Sequence, residues 1–290
     1  MTLAETLYLW LVPTGIVIGH LGVAAKFLPR WPILGRASQT LAWGYAIAVS
    51  VTWALRYREA GHLPLFGTYE SALSLAVATM LVAVLWEVAN RGRLRVTPIA
   101  ALIVGALLGH GRGYDPTPYA LTISERSWVV DIHAWVAWLA FGVLAVNSIL
   151  ALRVLLKRPA SAPADPSSRS GLVFSLELGF LLHTAMLASG SFYKFLLFGT
   201  AWSFDPIETL GFVAWVAYGT LLHMVLFAGW DGRRLAAWCF GLFFILVVSY
   251  RGIVYFPAWS TYHIFDMDLR IHLTPGEEIP VEEAPAKERP

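Results

Sequence analysis

The feature that most constrains this chain is repetition of uninterrupted apolar stretches, each about the 20 residues a helix needs to cross a bilayer. Eight stretches reach or approach that length, at about residues 6–25, 38–57, 69–89, 97–112, 132–155, 172–196, 210–229 and 235–254. No period-two alternation competes with them, so helices are the only spanning form predicted. The fourth stretch is short and Gly-rich, and predicts the weakest span. The first carries Glu5 rather than a basic lead-in and has no small-residue cleavage pattern, so it reads as a span and not as a signal peptide.

Composition agrees. Of 290 residues, 57% are hydrophobic and 14% charged, and mean hydropathy is +0.62; a soluble chain carries about 25% charge. A formal charge of +2, from 21 basic and 19 acidic residues, excludes a generally basic nucleic-acid binder. The single cysteine, Cys239, excludes an internal disulfide, a CxxC redox pair, a Cys-based zinc site and a CxxCH haem attachment within this chain; in the eighth stretch it reads as a small packing residue. The expectation is an all-α integral membrane protein with about eight transmembrane helices. Residues 1–265 form one polytopic domain, and 266–290 an acidic, Pro-rich tail that becomes disordered towards its end.

Basic residues orient the spans. Alternate loops hold Lys26, Arg30 and Arg36; Arg91, Arg93 and Arg95; Arg153, Lys157, Arg158 and Arg169; and Arg233 and Arg234. The opposite loops carry Asp115, Glu125, Asp131, Asp205 and Glu208. The basic loops are therefore expected in the cytoplasm, with both termini extracytoplasmic. The stretch 159–170, PASAPADPSSRS, reads as a flexible cytoplasmic linker.

Eight histidines in so apolar a chain raise the question of what they bind. At about 1.5 Å of rise per residue, His20 and His223 sit at matched depth, roughly 8–9 Å inside the cytoplasmic boundary. His183 lies near the middle of the sixth span. His133 opens the fifth span at the opposite face, and His263 follows the eighth on that side. Two layers result: His20, His223 and His183 within the membrane, His133 and His263 outside it. Haem iron takes axial histidines, and ionisable residues inside a membrane point to function by default. The bland alternative is a neutral imidazole bonded to a neighbouring carbonyl or hydroxyl. A zinc site is disfavoured, because no helix carries an HxxxH or HxxE spacing.

Between the sixth and seventh spans the chain reads FGTAWSFDPIET, residues 198–209. Taken locally, it starts a helix: Asp205 is an N-cap, Pro206 suits the first helical position, and Glu208 falls three residues after the cap. Its aromatics would equally suit an interfacial belt.

The same segment resembles the tryptophan-rich signature of the cytochrome c assembly family (CcsA, ResC and CcmC type), WGxxWxWDPKET. Gly199, Trp202, Asp205, Pro206, Glu208 and Thr209 match it. A second run, GHLPLFGTYES at 61–71, is similar to the family's GHLPLxNLYES. The order of features over roughly 38–265 also fits: an outer histidine opening span five, the signature loop, a histidine near the inner end of span seven, and an outer histidine after span eight. Two signature tryptophans are replaced by Phe198 and Phe204, and the signature lysine by Ile207. Phenylalanine still stacks on a porphyrin but has no indole N–H to donate.

The resemblance implies a protein that binds haem b, moves it outward and presents it beside the signature loop, where the thiols of an apocytochrome CxxCH motif add to its vinyl groups. Carried over by residue, His133 and His263 would be axial ligands of the outer haem. Trp202, Phe198 and Phe204, with Gly199, would form its platform, organised by Asp205 and Glu208. His223 would ligate a haem within the membrane, with His20 or His183 as its partner. The implied setting is the bacterial inner membrane, the loop facing the periplasm, with a ResB/CcsB-type partner, apocytochrome c as substrate, possible cytochrome c haem lyase activity and no nucleic acid. Two other readings stay open: a di-haem electron-transfer subunit between quinol and an outer redox partner, and a non-haem transporter or structural subunit. Glu70 is expected in an interfacial hydrogen bond. Of Arg56, Arg58, Arg112 and Arg251, all near outer span ends, three are expected to snorkel to the interface and one to meet a propionate.

Overall fold

The computed structural model describes residues 1–251 apart from 29, 93, 119–120, 122–124 and 157–165. The tail 266–290, His263 and the last residues of the eighth predicted span lie outside the described residues. Among those described, the chain is eight α-helices with no strand: α1 (Leu3–Phe27), α2 (Pro32–Ala60), α3 (Gly67–Ala89), α4 (Thr97–Gly111), α5 (Trp128–Leu156), α6 (Pro166–Phe198), α7 (Pro206–Phe227) and α8 (Gly232–Arg251). Each corresponds to one predicted span, with ends that differ by a few residues. Local chemistry sets several ends. Thr2 and Glu5 form a capping box on α1. Pro32 and Pro206 occupy first-turn positions where a missing N–H costs nothing. Gly61 ends α2 in the left-handed conformation, φ 73°. The predicted linker 159–170 is shorter than expected, because residues 166–170 already belong to α6, which Pro166 opens.

Six helices, α1, α3, α5, α6, α7 and α8, are long and apolar enough to cross a membrane. The protein is a multi-pass all-α membrane protein. Helix α2 has the length but carries Arg36, Gln39, Arg56 and Arg58, while α4 has 15 residues, about 22 Å of rise.

The helices pack as two neighbouring groups of four. In the first, α1 lies against α2 and α4, and α3 against α2 and α4; in the second, α5 lies against α6 and α8, and α7 against α6 and α8. The contact of α3 with α5 joins them. Those two helices are accordingly the most enclosed: every residue of 68–76 and of 141–151 is buried. The remaining helices turn large apolar side chains outward, among them Trp10, Ile47, Leu181, Phe192 and Phe244. On a soluble protein such a surface would be an aggregation site; on this one it is the lipid face.

With lipid outside, no hydrophobic effect drives helix against helix, and close packing of small residues takes its place. Gly15 and Gly19 of α1, spaced GxxxG, meet Ala101, Leu102 and Gly105 of α4 so closely that a Cβ at Gly15 would fall 2.6 Å from the Ala101 carbonyl oxygen. A Cβ at Gly105 would sit 3.0 Å from the Val12 carbonyl oxygen. We call the end of the bundle with segment 61–66 and loop 199–205 the motif end, and the opposite end, with the arginine-bearing turns, the basic end.

Candidate functional site

At the motif end the run that begins at Gly61 is tied down residue by residue. Gly61 and Gly67 take positive φ (73° and 69°) on either side of a short bent stretch, in which Leu65 N–H donates to the Leu63 carbonyl at 2.8 Å. The Pro64 carbonyl accepts a short hydrogen bond from the Ser74 hydroxyl, which itself accepts from the Trp53 indole N–H at 2.7 Å. Leu65 and Phe66 pack with Val130 and Ala134 of α5, and with Tyr193 of α6 at the margin. The run thus packs on the turn of α5 that carries His133.

Helix α3 begins as part of this corner. Glu70 is buried, 3% exposed, and pairs with Arg56, itself 1% exposed, at 2.7 Å. The Arg56 guanidinium also lies over the Tyr69 ring, and Tyr69 stacks on Tyr8 of α1 at 4.2 Å. Arg251, closing α8, donates to the Ser71 hydroxyl at 3.0 Å and the Thr68 carbonyl at 3.4 Å. This corrects the expectation for the four arginines. Arg58 and Arg112 are exposed, but Arg56 and Arg251 are both buried. A carboxylate and helix-end acceptors within reach satisfy them better than the interface would. Glu70 holds an ion pair rather than a plain interfacial hydrogen bond.

His133, one turn into α5, points at α6. Its Nδ1–H donates to the Met186 carbonyl at 3.0 Å, with the Ser189 hydroxyl at 3.2 Å, and the ring lies so close to Gly190 that a Cβ there would be 2.7 Å from Cε1. Donation from Nδ1 to a carbonyl places the lone pair on Nε2, the arrangement of metal-ligating imidazoles. The donor chemistry therefore fits an axial haem ligand.

One turn further along α6 stands Lys194, a residue the sequence reading passed over. It is 5% exposed and bonds the Ser203 hydroxyl and the Glu208 carboxylate. The second carboxylate oxygen of Glu208 accepts the Ser203 N–H at 2.9 Å. Asp205 caps α7 as expected, accepting from Ile207 N–H at 3.0 Å. Glu208 differs from the capping-box reading: its described bonds go to Ser203 and Lys194. The available signal for Lys194 was a lone cation in an apolar span end, which snorkelling explains equally well.

The loop these bonds hold is aromatic. Gly199 (φ 68°) turns the chain out of α6, and Phe204, at φ 60°, projects its ring with 80% exposure. Phe198 is also exposed. Trp202 meets Phe204 edge-on at 6.2 Å and Phe212 at 5.9 Å; Phe212 stacks on Trp215, and Trp215 on Phe180 of α6. The Trp215 indole donates to Thr184 at 2.8 Å. Aromatic contact thus runs unbroken from the loop down the α6–α7 seam.

The histidines assigned to the membrane layer are not brought together. His20 is exposed on α1, donating to its own helix at Ile16 (2.7 Å), and α1 belongs to the first group of helices. His183 is fully buried and donates from Nε2 to the Gly211 carbonyl of α7 at 3.0 Å. His223 is exposed on α7, its ring 4.6 Å from that of Phe227. Phe180 packs against Gly219, so one turn further towards the basic end, Glu177 and His223 share a level on exposed faces of adjacent helices.

The model of the family described as cytochrome C assembly protein matches residues 65–257, a range that takes in His133, His183, the loop and His223 but not His20 or His263. Among curated proteins, the chain is similar to the cytochrome c biogenesis protein CcsA of Prochlorococcus marinus (strain MIT 9301), 27% identical over 241 residues, which are 71% of this chain and 78% of that one. The CcsA of Prochlorococcus marinus (strain NATL2A) is 26% identical over 271 residues, 77% of this chain and 84% of that one. The CcsA of Synechococcus sp. (strain RCC307) is 28% identical over 237 residues, 68% and 75% of the two chains.

Proposed function

The chain belongs to the cytochrome c assembly protein family, and from that premise we propose that it binds haem b within the membrane and presents it at the 198–209 loop for attachment to apocytochrome c. The observation that carries this reading is the convergence at one end of the bundle. The run at 61–66 packs on the turn of α5 that carries His133, His133 is seated on α6 at Met186–Gly190, and α6 then holds the aromatic loop through Lys194. Stretches some 140 residues apart in sequence thus meet on the two helices that join at His133.

In this reading all eight helices cross the bacterial inner membrane, with both termini and the motif end outside and the arginine-rich basic end in the cytoplasm. His133 and His263 hold the outer haem. Trp202, Phe198 and Phe204 supply flat contact area, Gly199 lets the chain turn close beside it, and Asp205 and Glu208 fix the loop. Bound there, the haem offers vinyl groups to which the S–H bonds of a CxxCH pair add. This chain contributes position rather than a nucleophile. His223 holds the inner haem. His20 and His183 remain its candidate partners within the chain. The packing favours an imidazole from a ResB/CcsB-type partner, since His223 faces outward while His20 lies in the other helix group and His183 is committed to Gly211.

The test is an absorption spectrum with pyridine haemochrome quantification on the purified parent and on His133→Ala and His223→Ala. A b-type spectrum lost in two stages is the expected result, and acidification should release the haem as imidazoles protonate. A colourless parent from haem-replete cells would overturn the reading. A coloured parent that supports no thioether attachment would leave electron transfer as its function.

A further inference from the structure

We propose that Lys194 is the positioning residue of the aromatic corner, holding Phe204 and Trp202 in the ring-out arrangement that meets the planar tetrapyrrole; this rests on the haem reading of the loop. A lysine near the end of a membrane helix ordinarily extends its ammonium to the interface. This one turns inward, nine-tenths buried, and joins three elements: its own helix, the loop at Ser203 and helix α7 at Glu208. The consequence falls on Phe204. A bulky residue in the left-handed region is strained, and such strain persists only where the neighbours over-determine it. On one side of Phe204 the Ser203 N–H is held by Glu208 at 2.9 Å; on the other, Asp205 caps Ile207 at 3.0 Å.

Lys194 decides the first of these ties. Glu208 stands three residues after the N-cap, where a glutamate commonly turns back to the cap residue's own N–H. Pairing with Lys194 draws its carboxylate towards the loop and on to Ser203. Without the ammonium, Glu208 reverts to the local cap, Ser203 is released, and Phe204 relaxes out of positive φ. The ring that projects from the loop then loses its orientation.

The experiment uses the full chain with Lys194→Met, Lys194→Arg and Glu208→Gln. Two readouts are taken: hydrogen exchange at the Ser203 amide, and haem content and spectrum. Loss of a charge-assisted tie should speed Ser203 exchange about tenfold or more in Lys194→Met and Glu208→Gln. The outer, His133-dependent haem should be depleted or spectrally shifted while the His223-dependent haem stays. Lys194→Arg should keep most of both signals. Unchanged Ser203 exchange in a folded Lys194→Met protein overturns the latch. Faster exchange with a parental outer-haem spectrum overturns its role towards haem. If Lys194→Met does not fold, parental Ser203 exchange in a folded Glu208→Gln protein overturns the proposal. A colourless parent sinks the haem reading and with it the corner's assignment to a tetrapyrrole, while Ser203 exchange still decides the latch by itself.

Discussion

Glu87 is the residue on which the basic end of the first helix group depends. Its carboxylate, buried at the end of α3, accepts from Val96 N–H at 2.6 Å, Thr97 N–H at 2.8 Å, the Thr97 hydroxyl at 3.0 Å, the Trp43 indole at 2.9 Å and the Gln39 amide. A negative group on the first amides of α4 supplies the cap that Val96 cannot, and the same group draws in α2. A buried donor left unsatisfied costs about 1–3 kcal/mol, so Glu87→Ala should destabilise the protein by at least ~3 kcal/mol, read as a large fall in the midpoint of unfolding in detergent. Glu87→Gln, which keeps an acceptor but turns an NH₂ towards donors, should fall between. A parental midpoint for Glu87→Ala would remove the carboxylate from any structural role. Asp205 makes the contrast. Its cap was legible because donor and acceptor are two residues apart in sequence. Glu87, Lys194 and the burial of Arg56 were not legible, because their partners lie on other helices.

At the scale of elements, the helices form where apolar runs, caps and glycines place them, and their seams are set by small residues. The α1–α4 seam shows this best. Gly15, Gly19 and Gly22 of α1 face Ala101, Leu102 and Pro98 of α4, and Gly105 faces back. Replacing Gly19 with leucine forces α1 from Leu102, an overpacking that costs about 1–3 kcal/mol. The expected result is a lowered unfolding midpoint, with a much smaller effect for a leucine at Gly44, where nothing lies within 4 Å. Equal effects at the two glycines would refute the seam. The GxxxG spacing was there to be read, but spacing does not name the facing helix. Nor does an apolar run show that α6 starts at Pro166, since the polar residues there carry no hydrophobic period.

For the whole molecule, the proposed orientation can be tested through the loops on either side of α7. In a Cys239→Ala background, a cysteine at Ala201 in the motif-end loop should react with a membrane-impermeant maleimide in intact cells. A cysteine at Asp231, in the turn before α8, should react only after the membrane is opened. Labelling from the same side would mean that α7 does not cross, and the reverse pattern would invert the protein. By itself the sequence determined the eight helices, their membrane class, the family and the segments that carry its signature. Each of these depends on local quantities: apolar length, capping chemistry and the order of short motifs along the chain. Only the tertiary structure decided that α3 and α5 are enclosed, that His133 rests on α6, that Arg56 and Arg251 are buried, and that Lys194 holds the aromatic loop through Glu208. The reason is physical. A helix in lipid satisfies its own backbone, so it can be recognised alone. A buried charge is satisfied by whichever helix packs beside it, and nothing local in the sequence says which one that is.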